Sequence, residues 1–330
     1  MALQSHLFPS ARRILFLALV ATLIGFVWHP GLRGADSATQ ATDYSLATNN
    51  GEYSSDEACG VCHPNQLTTF QRTKMGPIVM TAKRNDIEEK GCQSCHGPGL
   101  SHVESSGDLS RIIRFGKEAN ISLESQSAKC LECHENGQRQ FWNGGMHESR
   151  GLTCGTCHNV MDNSGDSTRF IDPLTQNKLF VKSSQGEVCF QCHKQRRAQM
   201  QRSAHMPMRE GKIACASCHN PHGSPNPKLL QASSANETCA SCHAERRGPF
   251  LWEHPPVLEN CTNCHEPHGS TNPQLLKVRY PRLCQRCHIE TRHPTTPRED
   301  TTRFVFNRGC LNCHSQIHGS NHPSGVRLQR

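Results

Sequence analysis

All twenty cysteines of this 330-residue chain fall into one pattern, Cys-x-x-Cys-His, repeated ten times. The copies are CGVCH (Cys59, Cys62, His63), CQSCH (Cys92, Cys95, His96), CLECH (Cys130, Cys133, His134), CGTCH (Cys154, Cys157, His158) and CFQCH (Cys189, Cys192, His193). The second half of the chain adds CASCH (Cys215, Cys218, His219), CASCH (Cys239, Cys242, His243), CTNCH (Cys261, Cys264, His265), CQRCH (Cys284, Cys287, His288) and CLNCH (Cys310, Cys313, His314). A disulfide framework or a zinc ribbon has no need of a histidine at the fifth place. Covalent haem attachment needs all three residues: two thiols form thioethers to the porphyrin and the adjacent imidazole ligates the iron. The pattern therefore predicts ten covalently bound haem c groups with ten proximal histidines.

Such a chain has little else from which to build a core. Aromatic residues make up 5% of it and charged residues 19%, with 25 glycines and 19 prolines. So polar a polypeptide cannot bury enough apolar surface to offset its ordering entropy. The expected fold is a multihaem cytochrome c, mostly irregular with short α-helices, wrapped round an elongated chain of ten haems, with almost no β structure. The formal net charge of +8 falls to near +5 once a basic leader is set aside. Haem propionates then make the assembled protein mildly acidic, so the Lys and Arg residues read as propionate partners rather than a nucleic-acid patch.

Arg12 and Arg13 followed by the apolar run 14–28 and small residues at Gly34-Ala35 read as a secretory signal peptide. An uncleaved anchor is the alternative. The expected organisation is a signal over 1–34, a flexible linker over 35–55 and a decahaem domain over 56–330, built of haem-pair repeats. "CASCHNPHGSPNPKLL" from Cys215 recurs as "CTNCHEPHGSTNPQLL" from Cys261, each leading into a further motif. This gives one leading haem, four pairs and one closing haem.

An electron-transfer haem usually carries a second axial ligand. Outside the motifs and the leader, nine histidines remain: His102, His147, His205, His222, His254, His268, His293, His318 and His322. Nine cannot fill ten distal positions. The segments "QRTKMGP" (71–77) and "QRSAHMP" (201–207) align, with Met75 where the second has His205. A thioether is a known axial ligand, so Met75 is the tenth candidate. Met80 and Met161 are its rivals, Met161 standing in the slot of His222 ("CHNVM" against "CHNPH").

Ten motifs, the paired "CHNPHGS" units and the closing "IHGSNHPSG" resemble the MtrA/DmsE-type periplasmic decahaem c-type cytochromes. That resemblance implies electron transfer across the outer membrane within a β-barrel porin, between periplasmic electron-carrier proteins and extracellular donors or acceptors, with a cell-surface multihaem cytochrome as a further possible partner. It implies no catalytic residue and bis-histidine haems, from which Met75 departs. A thioether ligand leans the reading toward extracellular iron(II) oxidation; iron(III) or dimethyl sulfoxide reduction is the opposite direction. The alternatives are a free periplasmic electron shuttle or store, and a multihaem oxidoreductase with one open haem. The mature chain itself offers no lipid-spanning segment and no nucleic-acid motif.

Overall fold

The computed structural model describes residues 51–81, 83–161, 180–288, 309–323 and 325–328, all within one contact unit, Tyr44–Arg330. The predicted signal and most of the linker lie outside the described residues, as does His293. Among the described residues there are no β-strands, only isolated bridges such as His219 with Leu230 and His265 with Leu276. The expected class is what is found: short helices joined by turns, the longest being Leu123–His134 at 12 residues.

Two local designs alternate along the chain. Odd-numbered motifs close a short helix, which in the first, third, fifth and seventh begins on a serine cap and in the ninth follows Pro281. Ser55, Ser122, Ser184 and Ser234 each accept a hydrogen bond from the backbone N–H three residues on, at Ala58, Ser125, Glu187 and Glu237. These caps satisfy donors that a helix start leaves orphaned. The first cysteine of the motif follows within the same helix, as Cys189 does in Gln185–Phe190 and Cys239 in Ala235–Ala240.

Even-numbered motifs instead form a single tight turn, as in Cys154–Cys157, Cys215–Ser217, Cys261–Asn263 and Cys310–Asn312. The chain after each then loops back onto the motif. Asn220 N–H donates to Leu229 O at 2.7 Å and Gln231 N–H to Cys218 O at 2.9 Å. Glu266 and Lys277 repeat the pair with Leu275 and Cys264 at 2.7 and 2.8 Å. Within the loops, Ser224 and Asn226 donate to Leu230 O, and Ser270 and Asn272 to Leu276 O. This network is the physical content of the repeated "GSxNP".

The end of the stretch read as linker is tied down. Gln93 is 4% exposed, and its amide must find partners; it donates to Ser54 O at 2.7 Å and accepts from Ser54 N–H at 3.0 Å. The sparse apolar core is also as expected. Phe70, Ile113, Ile121, Trp142, Phe180, Val188, Met200, Leu276 and Leu328 are the buried hydrophobics among the described residues, and no large side chain is fully enclosed.

Candidate functional site

The motif cysteines are half-buried or exposed, and none is in a disulfide. Among the described residues no cluster of three or more His, Cys, Asp or Glu could hold a bare metal ion. The thiols from Cys95 to Cys313 lie instead along a mostly apolar cavity of about 4450 Å³, walled by residues from the second to the tenth motif. That is several times the roughly 300–1,000 Å³ of a single small-molecule site.

Imidazoles face one another across this space. His158 and His222 have ring centres 6.1 Å apart and planes at 15°, and His219 and His268 repeat both values. His254 and His288 stand at 6.2 Å and 18°, His265 and His318 at 6.2 Å and 17°, His147 and His193 at 6.4 Å and 65°. An imidazole nitrogen sits about 2.0 Å from a first-row metal and about 1.1 Å from its own ring centre, so two rings ligating one iron hold their centres about 6.2 Å apart. Each pair joins a proximal motif histidine to a distal candidate, so these ten side chains fit five irons.

Backbone carbonyls set the tautomers. The Nδ1 of His96, His219, His265 and His314 lies 2.8, 2.9, 2.8 and 2.6 Å from the carbonyl oxygens of Ile113, Lys228, Gln274 and Arg327. A carbonyl only accepts, so each Nδ1 carries the proton and Nε2 keeps its lone pair for iron. Lys228 and Gln274 turn their carbonyls inward by adopting φ of 56° and 53°, a left-handed backbone that costs free energy away from glycine. The distal candidates His147 and His102 are fixed likewise, with Nδ1 2.7 Å from Pro221 O and 2.9 Å from Asp108 O. Burial lowers the pKa of His96, His134, His254, His268 and His318, favouring the neutral ring that binds metal.

Partners are not sequence neighbours. His147 precedes the fourth motif yet faces the fifth, and His254 precedes the eighth yet faces the ninth. His222, His268 and His318 each follow an even motif and face the even motif before it. Of the other distal candidates, His102 lies within electrostatic reach of His96, His205 is 3.8 Å from Glu210, and the His322 amide donates to Ser320 Oγ at 3.0 Å. Met161 shares the backbone turn of His222: their N–H groups bond Asn159 and Asn220 Oδ1 at 3.1 and 3.2 Å.

Thiol contacts run both within the sequence pairs and between them. The first thiols of successive motifs lie within hydrogen-bonding reach in five couples: Cys59 with Cys92, Cys130 with Cys154, Cys189 with Cys215, Cys239 with Cys261, and Cys284 with Cys310. These couples join each sequence pair to the next and tie in the first and last motifs. Second thiols make the alternate links, Cys95 standing near Cys133, Cys157 near Cys192, Cys218 near Cys242 and Cys264 near Cys287. The ten motifs thus form one unbroken series in chain order.

Residues 205–248 and 254–293 match the family described as the doubled CXXCH motif, and residues 92–182 match the cytochrome c-type protein NrfB-like family. Over 297 residues the chain is 37% identical to the multihaem cytochrome MtrA of Shewanella baltica, covering 87% of this chain and 85% of that protein. The chain belongs to the MtrA family of multihaem cytochromes. Weaker similarity reaches the dissimilatory sulfite reductase MccA of Wolinella succinogenes, 27% identical over 49% of this chain and 27% of that protein. The polyhaem cytochrome OmcB of Geobacter sulfurreducens is 24% identical over 42% and 20%. As in the MtrA family, the paired motifs hold covalent haem c and the work is multihaem electron transfer.

The glycines of the "HGS" repeats carry a structural role that sequence reading missed. Gly223, Gly269 and Gly319, each beside a distal histidine, have φ of 122°, 125° and 127°. A Cβ there would overlap the Phe141 carbonyl, the Gln199 carbonyl and the Phe250 ring respectively. Gly269→Ala is expected to cost about 1–3 kcal/mol from its backbone alone, with the overlap added. A thermal melt should show a midpoint lowered by several degrees, with a high-spin signal from the iron that loses His268.

Proposed function

We propose that this chain carries electrons through ten covalently bound haems inside an outer-membrane β-barrel porin, linking periplasmic carriers to donors or acceptors outside the cell. The observation that carries the reading is the unbroken series of neighbouring thiols from Cys59 to Cys310. Bound haem supplies reversible one-electron iron chemistry. Five facing imidazole pairs would each hold one iron on both sides and leave it no position for substrate, and backbone carbonyls fix the tautomer of rings such as His219. His219 and His268 illustrate both. Among the described residues no helix is long and apolar enough to cross a membrane. A polar, irregular backbone cannot meet hydrocarbon directly, which favours a barrel supplied by another protein. The favoured direction is inward from extracellular iron(II), because a methionine at a ligand position in the first third of the chain would raise the potential there.

A free periplasmic shuttle shares every motif, and a barrel partner separates the two. Detergent extraction is expected to recover the protein with an outer-membrane porin. Small-angle scattering should give a radius of gyration well above the roughly 19 Å of a 300-residue globule. A globular particle extracted without a barrel would replace the conduit by the shuttle. A second reading, an oxidoreductase with one open haem, draws on the similarity to sulfite reductase MccA and on the shortfall of one distal histidine. A high-spin haem in the wild-type protein would favour it.

A further inference from the structure

The opposed imidazoles define a rule of reach that identifies the ligand the histidine count lacks. A distal histidine placed before an even-numbered motif serves the odd motif that follows, as His147 serves His193 and His254 serves His288. The segment "QRSAHMP" puts His205 in this class, ahead of the sixth motif, and so assigns it to His243 of the seventh. "QRTKMGP" puts Met75 in the same class, ahead of the second motif. The motif it reaches is then the third.

The local geometry agrees. Met75, Cys130, Cys133 and His134 wall the same cavity. Among the described residues no imidazole opposes His134 at the spacing of the five pairs. Met75 opens the helix Met75–Met80, whose entry is locked to the preceding helix Pro64–Gln71. Thr73 Oγ1 donates to Phe70 O at 2.7 Å and accepts from Gly76 N–H at 3.0 Å. A Cβ at Gly76 would overlap the Phe70 carbonyl, so glycine there permits the close approach of the two helices. The thioether is therefore offered from a fixed backbone, as a ligand must be.

We propose that the Met75 thioether is the distal ligand of the haem held by Cys130, Cys133 and His134. This rests on the ten-haem reading above and names one coordination within it. A neutral, soft sulfur in place of a second imidazole favours the ferrous state and raises that haem's potential. The rule for ligands that follow an even motif would carry Met161 to His96. There His102 stands within reach, so the assignment is confined to Met75.

The test is spectroscopic and uses the mature holoprotein. Oxidised wild type is expected to show a methionine–iron charge-transfer band in the near infrared. Met75→His should remove the band, keep every haem low-spin and lower the potential of one haem alone. Met75→Ala should leave one high-spin haem that binds cyanide, while Met80→Ala and Met161→Ala keep the band. The joint variant Cys130→Ala with Cys133→Ala should lose one haem mass and the band together, whereas Cys92→Ala with Cys95→Ala should lose a haem mass and keep it. A wild type without the band, an undiminished band in Met75→His, or a band that goes with Cys92 and Cys95 but survives loss of Cys130 and Cys133 overturns the assignment; Met75 then only fills space. A total below ten haem masses in wild type would instead undo the ten-haem reading, whatever the band does.

Discussion

Made without haem attachment, the chain is expected to give the circular dichroism of an unfolded polypeptide, to be cut by protease throughout its length and to melt without a cooperative transition. The reason lies in what the helices can do alone. Among the described residues the longest has 12 residues, and helices shorter than about 12–15 residues are marginal in water. In proteins such helices are held by burying an apolar face, yet among the described residues the buried hydrophobics are scattered from Phe70 to Leu328 and none is fully enclosed. The imidazoles that join distant segments have ring centres about 6 Å apart, which leaves their facing nitrogens about 4 Å from each other, too far for a hydrogen bond between them. Expression in the cytoplasm of a host that cannot attach haem, followed by a proton NMR spectrum, checks this. Well-dispersed amide signals would show that the polypeptide carries its own fold.

Removing one link in the middle of the series is expected to stop end-to-end transfer rather than weaken it by a tenth. With Cys215→Ala and Cys218→Ala together, the sixth site loses its covalent anchors, and the contacts that Cys189 and Cys242 make with it are lost too. In vesicles containing the porin complex, with a reductant inside and an iron(III) chelate outside, oxidation of the reductant should fall to the rate of porin alone. The remaining sites should still reduce when a small mediator reaches both faces. A shuttle would behave differently, losing one haem of capacity and little of its rate. Retention of the transmembrane rate would therefore remove the conduit reading. His268→Ala is the milder companion, since it leaves Cys215, Cys218 and His219 in place and unpairs one imidazole.

How much of this could be read from the letters depends on how far each interaction reaches. Cys-x-x-Cys-His is complete within five residues, so its chemistry was legible at once, and the scarcity of apolar side chains pointed to short helices. The serine caps at Ser184 and Ser234 were legible too, each followed three residues on by glutamate, a known helix-start signature. Distal partnership was not. His222 lies three residues from His219 yet faces His158, and no local pattern announces a reach of two motifs. Nor were the contacts between pairs: the repeat of "CHNPHGSPNPKLL" announces the link from Cys218 ahead to Cys242, but nothing local announces that Cys215 meets Cys189 behind it. Strained carbonyls such as that of Lys228 were invisible, because lysine gives no sequence sign of a left-handed backbone.

The two-motif reach of the distal histidines bears on how a chain of this kind can change its length over generations. A duplicated stretch carrying one motif would bring a proximal imidazole but send the reach of His222, His268 or His318 to the wrong class of site, leaving one iron with two claimants and another with none. A duplication of two motifs, an odd helix and an even turn together, reproduces every reach and every thiol couple in register. Lineages built on this plan should therefore gain and lose haems in twos, and a member with an odd number should betray the mismatch at one end, where a ligand has no partner to serve.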